Sequence, residues 1–369
     1  MIRQWELRFY REGDEKEIVR LLNLALPESN YTLARWLWEY KNNPYGFLTI
    51  VAEHEGRVVG HMGLFFLELQ VGDMVIKGSQ ACDLAVHPDF RNQGMFLAMG
   101  KTLLNEAGEQ GVPVTYGFPN RPAYFGHIKY GWFDAARVPV LRCPYHVYNI
   151  FEGECAKHPR LKLLNHIVKN CSKRVDYLAS KLRERQPSSI SNLVIKEVRM
   201  IDPRFDNLWK RMSGNYGVAV VRNRKYLNWR FLEKPDARYR VFAAEKSDDI
   251  LGYIIVSADV SKYWKVGYID DVLGENLDVV RNLVALALRF FRERGIDMAE
   301  CWLLQQTFWY KALIEKGFIP MHILNPAEKK RFIVRVNSPS FLEVYKGAKK
   351  GWYLTYSDSD YAGGRLSIT

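Results

Sequence analysis

The chain has 369 residues, 48% of them hydrophobic and 25% charged, and its 53 Lys and Arg outnumber 41 Asp and Glu for a net charge of +12. At roughly 150 residues per domain that length predicts two domains, and the composition excludes a disordered chain, a collagen-like fibre and a small disulfide scaffold. No apolar run approaches the ~18 residues of a membrane-spanning helix, so no membrane insertion is expected.

The first elements alternate cleanly. Glu6 to Tyr10 reads as a strand. Asp14-x-x-Glu17 has the spacing of a capping box and opens a helix that stops before Pro27. Thr32 to Asn42 is a second, aromatic-rich helix. Phe47 to Glu53 and Arg57 to Val71 are strands joined at Glu55-Gly56, and Gly72-Asp73 turns into a third strand that runs to Val86. Gly94 to Gln110 is helical, Val112 to Gly117 a strand, Arg121 to Ile128 a short helix and Trp132 to Leu141 a strand. The order βααβββαβαβ predicts an α/β fold on a mixed sheet with helices on both faces.

Residues 191–323 repeat the pattern. Trp38-x-Tyr40-x-x-x-Pro44 recurs as Trp229-x-Phe231-x-x-x-Pro235, Ala52-Glu53 and Gly60 as Ala244-Glu245 and Gly252, and Asp83 as Asp271. Gly111 recurs as Gly295, and Gly131-Trp132 as Gly317-Phe318. The expected division is a first domain over 1–150, a basic connecting helix over 151–190 and a second domain over 191–369. Both tryptophans are assigned to core packing. From the Asp to the Gly that follows the helix, the second copy is four residues shorter. It lacks the turn Pro88-Asp89-Phe90-Arg91-Asn92-Gln93-Gly94 and has the acidic Leu273-Gly274-Glu275-Asn276 in its place.

Between the copies, Lys157 to Pro187 carries nine Lys or Arg against Asp176 and Glu184, a charge of +7. Leu161, Leu164, Val168, Cys171, Val175, Leu178 and Leu182 fall at helical spacing and predict an apolar seam docked on protein, with the cations on a solvated face. Nucleic acid is therefore not the expected partner of that helix. The aromatic segment Trp352 to Asp360 is expected to return onto the body, with its acids offered to a cationic acceptor. Five cysteines without a C-x-x-C pair fit reduced thiols in a cytoplasmic protein, and neither they nor eight dispersed histidines suggest a metal site. The N-terminal stretch matches neither a signal nor a transit peptide.

The chemistry gathers between residues 83 and 132. A strand ends at Pro88 and a helix begins near Gly94. Gly94 has no Cβ, so a ligand can approach the backbone there. The first amides of a helix lack intrahelical acceptors and carry the positive end of its dipole, which suits a pyrophosphate. Arg91 adds a full charge. The patterns GxxxxGK[ST] and GxGxxG are absent, which argues against nucleotide hydrolysis and dinucleotide binding.

The stretch Ala85-Val86-His87-Pro88-Asp89-Phe90-Arg91-Asn92-Gln93-Gly94 resembles motif A of the GNAT acetyltransferases. Tyr116-Gly117-Phe118-Pro119-Asn120, with Lys129-Tyr130-Gly131-Trp132, resembles their motif B. The element order is similar too, and the whole looks most like tandem-GNAT proteins, in which two GNAT-like acyl-CoA N-acyltransferase domains share one chain. The resemblance implies acetyl-CoA as cosubstrate, held by the strand Leu84, Ala85 and Val86. It implies a pyrophosphate cradle at Arg91, Asn92, Gln93, Gly94, Met95 and Phe96, with Asn120 on the pantetheine arm. Asn92 and Phe96 depart from the family's small residues, and Phe96 is expected against the adenine or across part of the groove.

The implied reaction is direct attack of an amine, of a small molecule or a peptide, on acetyl-CoA in a ternary complex. Such an amine, of pKa about 10.4, must lose a proton before it attacks. Asp83 is the candidate base, with Glu53 behind it, and the Val86 amide is the candidate oxyanion donor. By resemblance Tyr124 is the acid for the leaving thiolate, with His127 next. The second copy, without motif A, is expected to have lost the cofactor and to shape the acceptor site. The alternatives are a Fem-type transferase that takes its acyl group from aminoacyl-tRNA and a non-catalytic acyl-CoA-binding module. The oligomeric state is not legible in the sequence.

Overall fold

The structure is a computed structural model and describes residues 5–157, 159–184, 192–260, 263–323, 325, 328–348 and 351–360. In chain order the elements are β1 (Glu6–Phe9), α1 (Glu15–Ala25), α2 (Leu33–Glu39), β2 (Phe47–His54), β3 (Arg57–Val71), β4 (Met74–Val86), α3 (Met95–Glu109), β5 (Val114–Gly117), α4 (Arg121–Ile128) and β6 (Phe133–Pro144). Two helices follow, α5 (Val147–Lys157) and α6 (Asn165–Glu184). Then come β7 (Val194–Val198), α7 (Pro203–Met212), β8 (Val218–Val220), α8 (Arg224–Leu227), β9 (Arg240–Lys246), β10 (Asp249–Val260), β11 (Lys265–Gly274), α9 (Leu277–Glu293) and β12 (Met298–Trp302). The chain closes with α10 (Tyr310–Glu315), β13 (Ile319–Pro320), β14 (Lys329–Val336), α11 (Leu342–Ala348) and β15 (Trp352–Tyr353). The first ten elements have the order read from the sequence.

The chain forms two compact units that interleave along the sequence. One holds 1–137, 213–236 and 331–352; the other holds 138–212, 237–330 and 353–369. The repeat suggests contiguous domains at 1–150 and 191–369 instead. Pairing explains the difference: β8 adds to β3 through Val220 opposite Leu69, and β14 adds to β5 through Val334 opposite Tyr116. Both second-copy segments are thereby tied to the first unit.

In the first unit β1, β2, β3 and β4 pair antiparallel, β5 joins β4 in parallel, and β14 closes the row antiparallel to β5. Side chains alternate across the sheet. Ile50, Ala52, Met62, Leu64 and Phe66 turn to one face, where Met95, Met99, Leu103, Leu104 and Ala107 of α3 cover them. Thr49, His61 and Gly63 turn to the other, where Tyr40 at the end of α2 packs. The capping box expected at Asp14 does not form. The Asp14 carboxylate takes the Arg8 guanidinium at 2.6 and 2.9 Å instead, a charge-assisted fork stronger than a bond to an amide.

Trp38 and Trp229, equivalent positions of the two copies, meet in this unit. Their rings stack at 5.2 Å, Trp38 Nε1 donates to the Trp229 carbonyl at 2.8 Å, and Trp229 Nε1 donates to the Trp38 carbonyl at 3.0 Å. The exchange is reciprocal, as across a local twofold axis. A cycle of Trp38→Phe and Trp229→Phe, followed by chemical denaturation, should return a coupling of about 1–2 kcal/mol. Strictly additive losses would show that each ring packs independently.

In the second unit the row is β6, β12, β11, β10, β9 and β7, with β13 also on β6. Here β11 and β12 form the parallel pair. Helix α9 buries Val280, Leu283, Val284, Ala287 and Phe291. The C-terminal segment does return to the body. Thr355 Oγ1 donates to Asp271 at 2.9 Å, and the Tyr356 ring lies 4.2 Å from that of Trp302. Asp358 is buried and accepts the Thr355 amide at 2.8 Å, so this acid caps a turn and does not face an acceptor.

The connecting segment also departs from expectation. It is two helices and a 3-10 stretch, Pro159–Leu164, where one helix is expected. Proline has no amide to continue a helix. Leu161, Val168, Ser172 and Asp176 turn inward, whereas Leu164, Cys171 and Val175 of the expected seam are exposed. Polar anchoring selects that face: Asp176 accepts the Val147 amide at 3.1 Å, at the start of α5, and the Lys169 ammonium lies 5.8 Å over the Tyr148 ring. Residues 185–191 lie outside the described residues.

Candidate active site

Strands β4 and β5 pair only where Gly78–Gln80 face Val114–Tyr116. Strand β4 runs on to Val86 while β5 ends at Gly117, so the two part into a wedge. The His87 amide bonds the Val59 carbonyl at 2.8 Å on the β3 side. Alternation along a strand then directs the Val86 amide the other way, into the wedge. The wedge opens into a cleft of about 430 Å³, within the usual range for small-molecule sites. Leu84, Ala85, Val86, Phe90, Arg91, Asn92, Gly94, Met95, Phe96 and Asn120 line it, with Ala25, Leu26, Pro122, Ala123 and Gly126.

At one end of the cleft stands the start of α3. Its N-cap is Gly94, in the left-handed region at φ +78°, with no side-chain cap, and Asn92 precedes it at φ +63°. The amides of the first turn therefore present their dipole to the cleft. The corresponding helix of the second copy is closed. There the Asn276 side chain accepts the Val279 amide at 3.0 Å, and Glu275, paired with Arg211, puts a carboxylate beside it. Three further side chains show what the cradle residues do. Gln93 turns away to the Asp89 carbonyl at 3.4 Å and does not line the cleft. Asn120 caps α4 with Oδ1, which leaves its amide nitrogen to donate. Phe96 wedges inward against His127 and Tyr130, at 5.1 and 5.9 Å, and a Cβ on Gly126 would strike its ring.

Beside the strand lies a buried polar cluster. Opposite Met62 the β3/β4 register slips, so Asp83 and Leu84 face a single residue in a bulge. Asp83 stands at φ +52°, a sparsely populated conformation for a non-glycine residue. Three contacts hold it there. Tyr31 and Tyr40 donate their hydroxyls to Oδ2 at 2.6 and 2.7 Å, and His61 Nδ1 donates to the Asp83 carbonyl at 2.8 Å. The Tyr31 hydroxyl also meets Glu39 Oε2. A phenol has one proton, so it cannot donate to both carboxylates. Burial, and then the Asp83 charge, push the Glu39 carboxyl above its usual range, against the opposing pull of Arg35 and Lys234. Burial thus favours the proton on Glu39, an arrangement in which Glu39 faces the Tyr31 oxygen and the Tyr31 hydroxyl donates to Asp83.

Lys234, from the second copy, lies 4.8 Å over Trp38, and burial with the neighbouring Arg230 and Arg35 pulls its ammonium down to about 7. Glu39, Cys82 and Asp83 bring three potential metal donors within 4.8 Å of one another, and the Tyr31 and Tyr40 hydroxyls bond into the same group. Sequence reasoning missed Tyr31, Glu39, Tyr40 and His61. One signal was available in Trp36-Leu37-Trp38-Glu39-Tyr40: an acid inside so apolar a turn is buried only with partners.

The remaining candidates are placed differently. Tyr124 sits on α4 but does not line the cleft, and its hydroxyl donates to Asp134 at 2.6 Å, which raises its pKa. The Arg331 guanidinium lies 4.0 Å over its ring. Glu53 is held by Arg8 at 2.6 Å. His127 is buried with Nδ1 on the Tyr130 hydroxyl at 2.6 Å.

Burial lowers both His127 and His61 to about 4. In the unfolded chain each would titrate near 6.5. The unfolded state thus binds more protons between pH 6.5 and 4, and stability held above pH 6.5 is lost as pH falls through that window. The loss should reach up to about 3 kcal/mol per histidine at pH 4. Denaturant midpoints that stay level from pH 6.5 to 4.5 would contradict this.

Residues 6–133 match the family profile of an acetyltransferase (GNAT) domain. The first copy is a GNAT domain. Fold likeness extends the GNAT architecture over nearly the whole chain. A GCN5-related N-acetyltransferase from Anabaena variabilis superposes with a TM-score of 0.63 at 14% identity, over 90% of this chain and 73% of that one. A probable N-acyltransferase from Enterococcus faecalis gives 0.63 at 11%, over 92% and 75%. Saccharomyces cerevisiae N-myristoyltransferase with bound myristoyl-CoA gives 0.58 at 12%, over 91% and 83%. No curated protein matches by sequence. The chain thus has a GNAT domain in its first copy and the fold of two tandem GNAT-like domains on mixed α/β sheets, and its cleft lies on the matched segment where β4 and β5 part. No helix among the described residues is long and apolar enough to cross a membrane.

Proposed function

We propose that the protein is an N-acetyltransferase that moves the acetyl group of acetyl-CoA to an amine by direct attack in a ternary complex, in the cleft of the first unit. The observation that carries this reading is one continuous feature. The wedge between β4 and β5 leads to the uncapped start of α3, and the half-buried Asp83 carboxylate stands in the bulge of the same β4 strand. Acetyl-CoA lies with its pantetheine along Leu84 to Val86 and its pyrophosphate at Arg91 to Met95. The Val86 amide meets the oxyanion. Asp83 receives the amine proton; both phenols bond its Oδ2, so Oδ1 is the accepting atom. The acceptor is a small-molecule or peptide amine, and the cytoplasm is the compartment that five unpaired thiols fit. Segment 213–236 brings Arg230 and Lys234 to the cluster, which supports a role for the second copy in shaping the acceptor side.

Tyr124 is the acid for the leaving thiolate in this reading. Pro122, Ala123 and Gly126 of its helix line the cleft, and its hydroxyl must exchange Asp134 for the sulfur. Tyr124→Phe should lower kcat about 10²-fold and leave the acetyl-CoA Kd unchanged, because the hydroxyl acts only as the thiolate departs. Unchanged turnover would make Tyr124 a packing residue. The reading as a whole is tested by acetyl-CoA titration followed by thiol release with a panel of amines. Binding without release on any amine would point to a binding module. Acyl transfer to an amine only with aminoacyl-tRNA as donor, with deacylated tRNA and no thiol released, would point to the Fem-type reaction.

A further inference from the structure

The connecting helices carry an apolar face that no described part of the protein covers. Leu163, Leu164, Ile167 and Val175 are 89%, 47%, 61% and 47% exposed, and Cys171 is exposed between them. From Leu164 onward these residues follow one another at three- and four-residue steps, along one side of α6, while Val168, Ser172 and Asp176 occupy the side turned to α5. Four cations accompany the stripe: Arg160, Lys162, Lys173 and Arg174, all exposed, while Lys169 turns to the Tyr148 ring of α5. Arg174 stands two turns after Ile167, on the flank of the stripe. The one acid over the same stretch, Asp176, is turned inward to the Val147 amide.

We infer that this face of α6 docks on an anionic lipid surface, with the stripe at the acyl boundary and the cations among the headgroups. The charge decides between occupants. A second copy of the chain would set this cationic face against itself, since a twofold interface is self-complementary. Nucleic acid would meet the cations but offer nothing apolar to bury Ile167 and Val175. A membrane surface with negative headgroups satisfies both halves at once, which is the signature of an interfacial amphipathic helix. The helix lies on such a surface and does not span it.

The experiment uses the full chain. Cys171 is exposed and the other four cysteines are buried, so an environment-sensitive fluorophore attached there reports on the stripe itself. Vesicles of phosphatidylcholine with about 30% phosphatidylserine should shift its emission to the blue and bind at least ten-fold tighter than pure phosphatidylcholine vesicles. Lys173→Glu with Arg174→Glu should remove that preference. Ile167→Ser with Val175→Ser should weaken binding about ten-fold, and both variants should keep the wild-type acetyl-CoA affinity. Equal binding to both vesicle types, no emission shift, or a blue shift that appears with protein concentration and no lipid would overturn the inference. The last outcome would make the face a contact between copies. Tight tRNA binding that Ile167→Ser with Val175→Ser leaves intact, without vesicle binding, would overturn it in favour of nucleic acid.

Discussion

Replacing Asp83 with Asn should lower kcat by about 10²–10⁴ while the Kd for acetyl-CoA stays within a few-fold of wild type. The split follows from position. Asp83 lies in the bulge of β4, the cleft strand, but does not line the cleft, so the cofactor loses no contact. The amide is close in shape and its oxygen can still accept from Tyr31 and Tyr40, so the cluster should hold. What is lost is the atom that takes the amine proton. Glu39→Gln is the matched control. If Glu39 holds the proton, the direction in which burial pushes it, its amide can donate to Tyr31 in the same way and turnover should stay within about ten-fold. A large loss in Glu39→Gln with little loss in Asp83→Asn would exchange their roles.

Gly94→Val should raise the acetyl-CoA Kd on the order of 10²-fold. A Cβ at Gly94 meets no protein atom within 4 Å, so the protein itself does not clash with it. Two other effects remain. The residue stands at φ +78°, where a β-branched side chain is strained by roughly 1–2 kcal/mol. The added methyls also project beside the amides that would bond the pyrophosphate, and charge-assisted bonds of that kind contribute about 1.5–3 kcal/mol each. Gly94→Ala should fall between the two. Equal affinity in all three proteins would place the phosphates elsewhere.

Much of the frame was legible because it rests on periodicity. The order β1 to β6, the turn at Glu55-Gly56 and the span Arg57–Val71 all follow from alternation and punctuation, and the structure repeats them. The Trp38 and Trp229 correspondence was legible as a repeat, but that the two rings meet was not. Such a meeting depends on 213–236 folding into the first unit, and no local pattern states which sheet a segment joins. The cleft side of the site could be named from one loop because a strand, a turn and a helix start are contiguous. The Asp83 cluster could not, because Tyr31, Glu39, His61 and Asp83 converge only through tertiary packing. The α6 face was misjudged for a related reason. Spacing shows that an apolar stripe exists, whereas the partner of one amide, at Val147, decides which way the helix turns.

The central claim is one acyl-CoA site per chain, in the cleft of the GNAT domain. Isothermal titration of the full chain with acetyl-CoA tests it most directly. One equivalent should bind, Gly94→Val should abolish most of that signal, and Asn276→Ala, at the capped helix of the second copy, should leave it unchanged. Two equivalent sites, or a single site indifferent to Gly94→Val, would contradict the account.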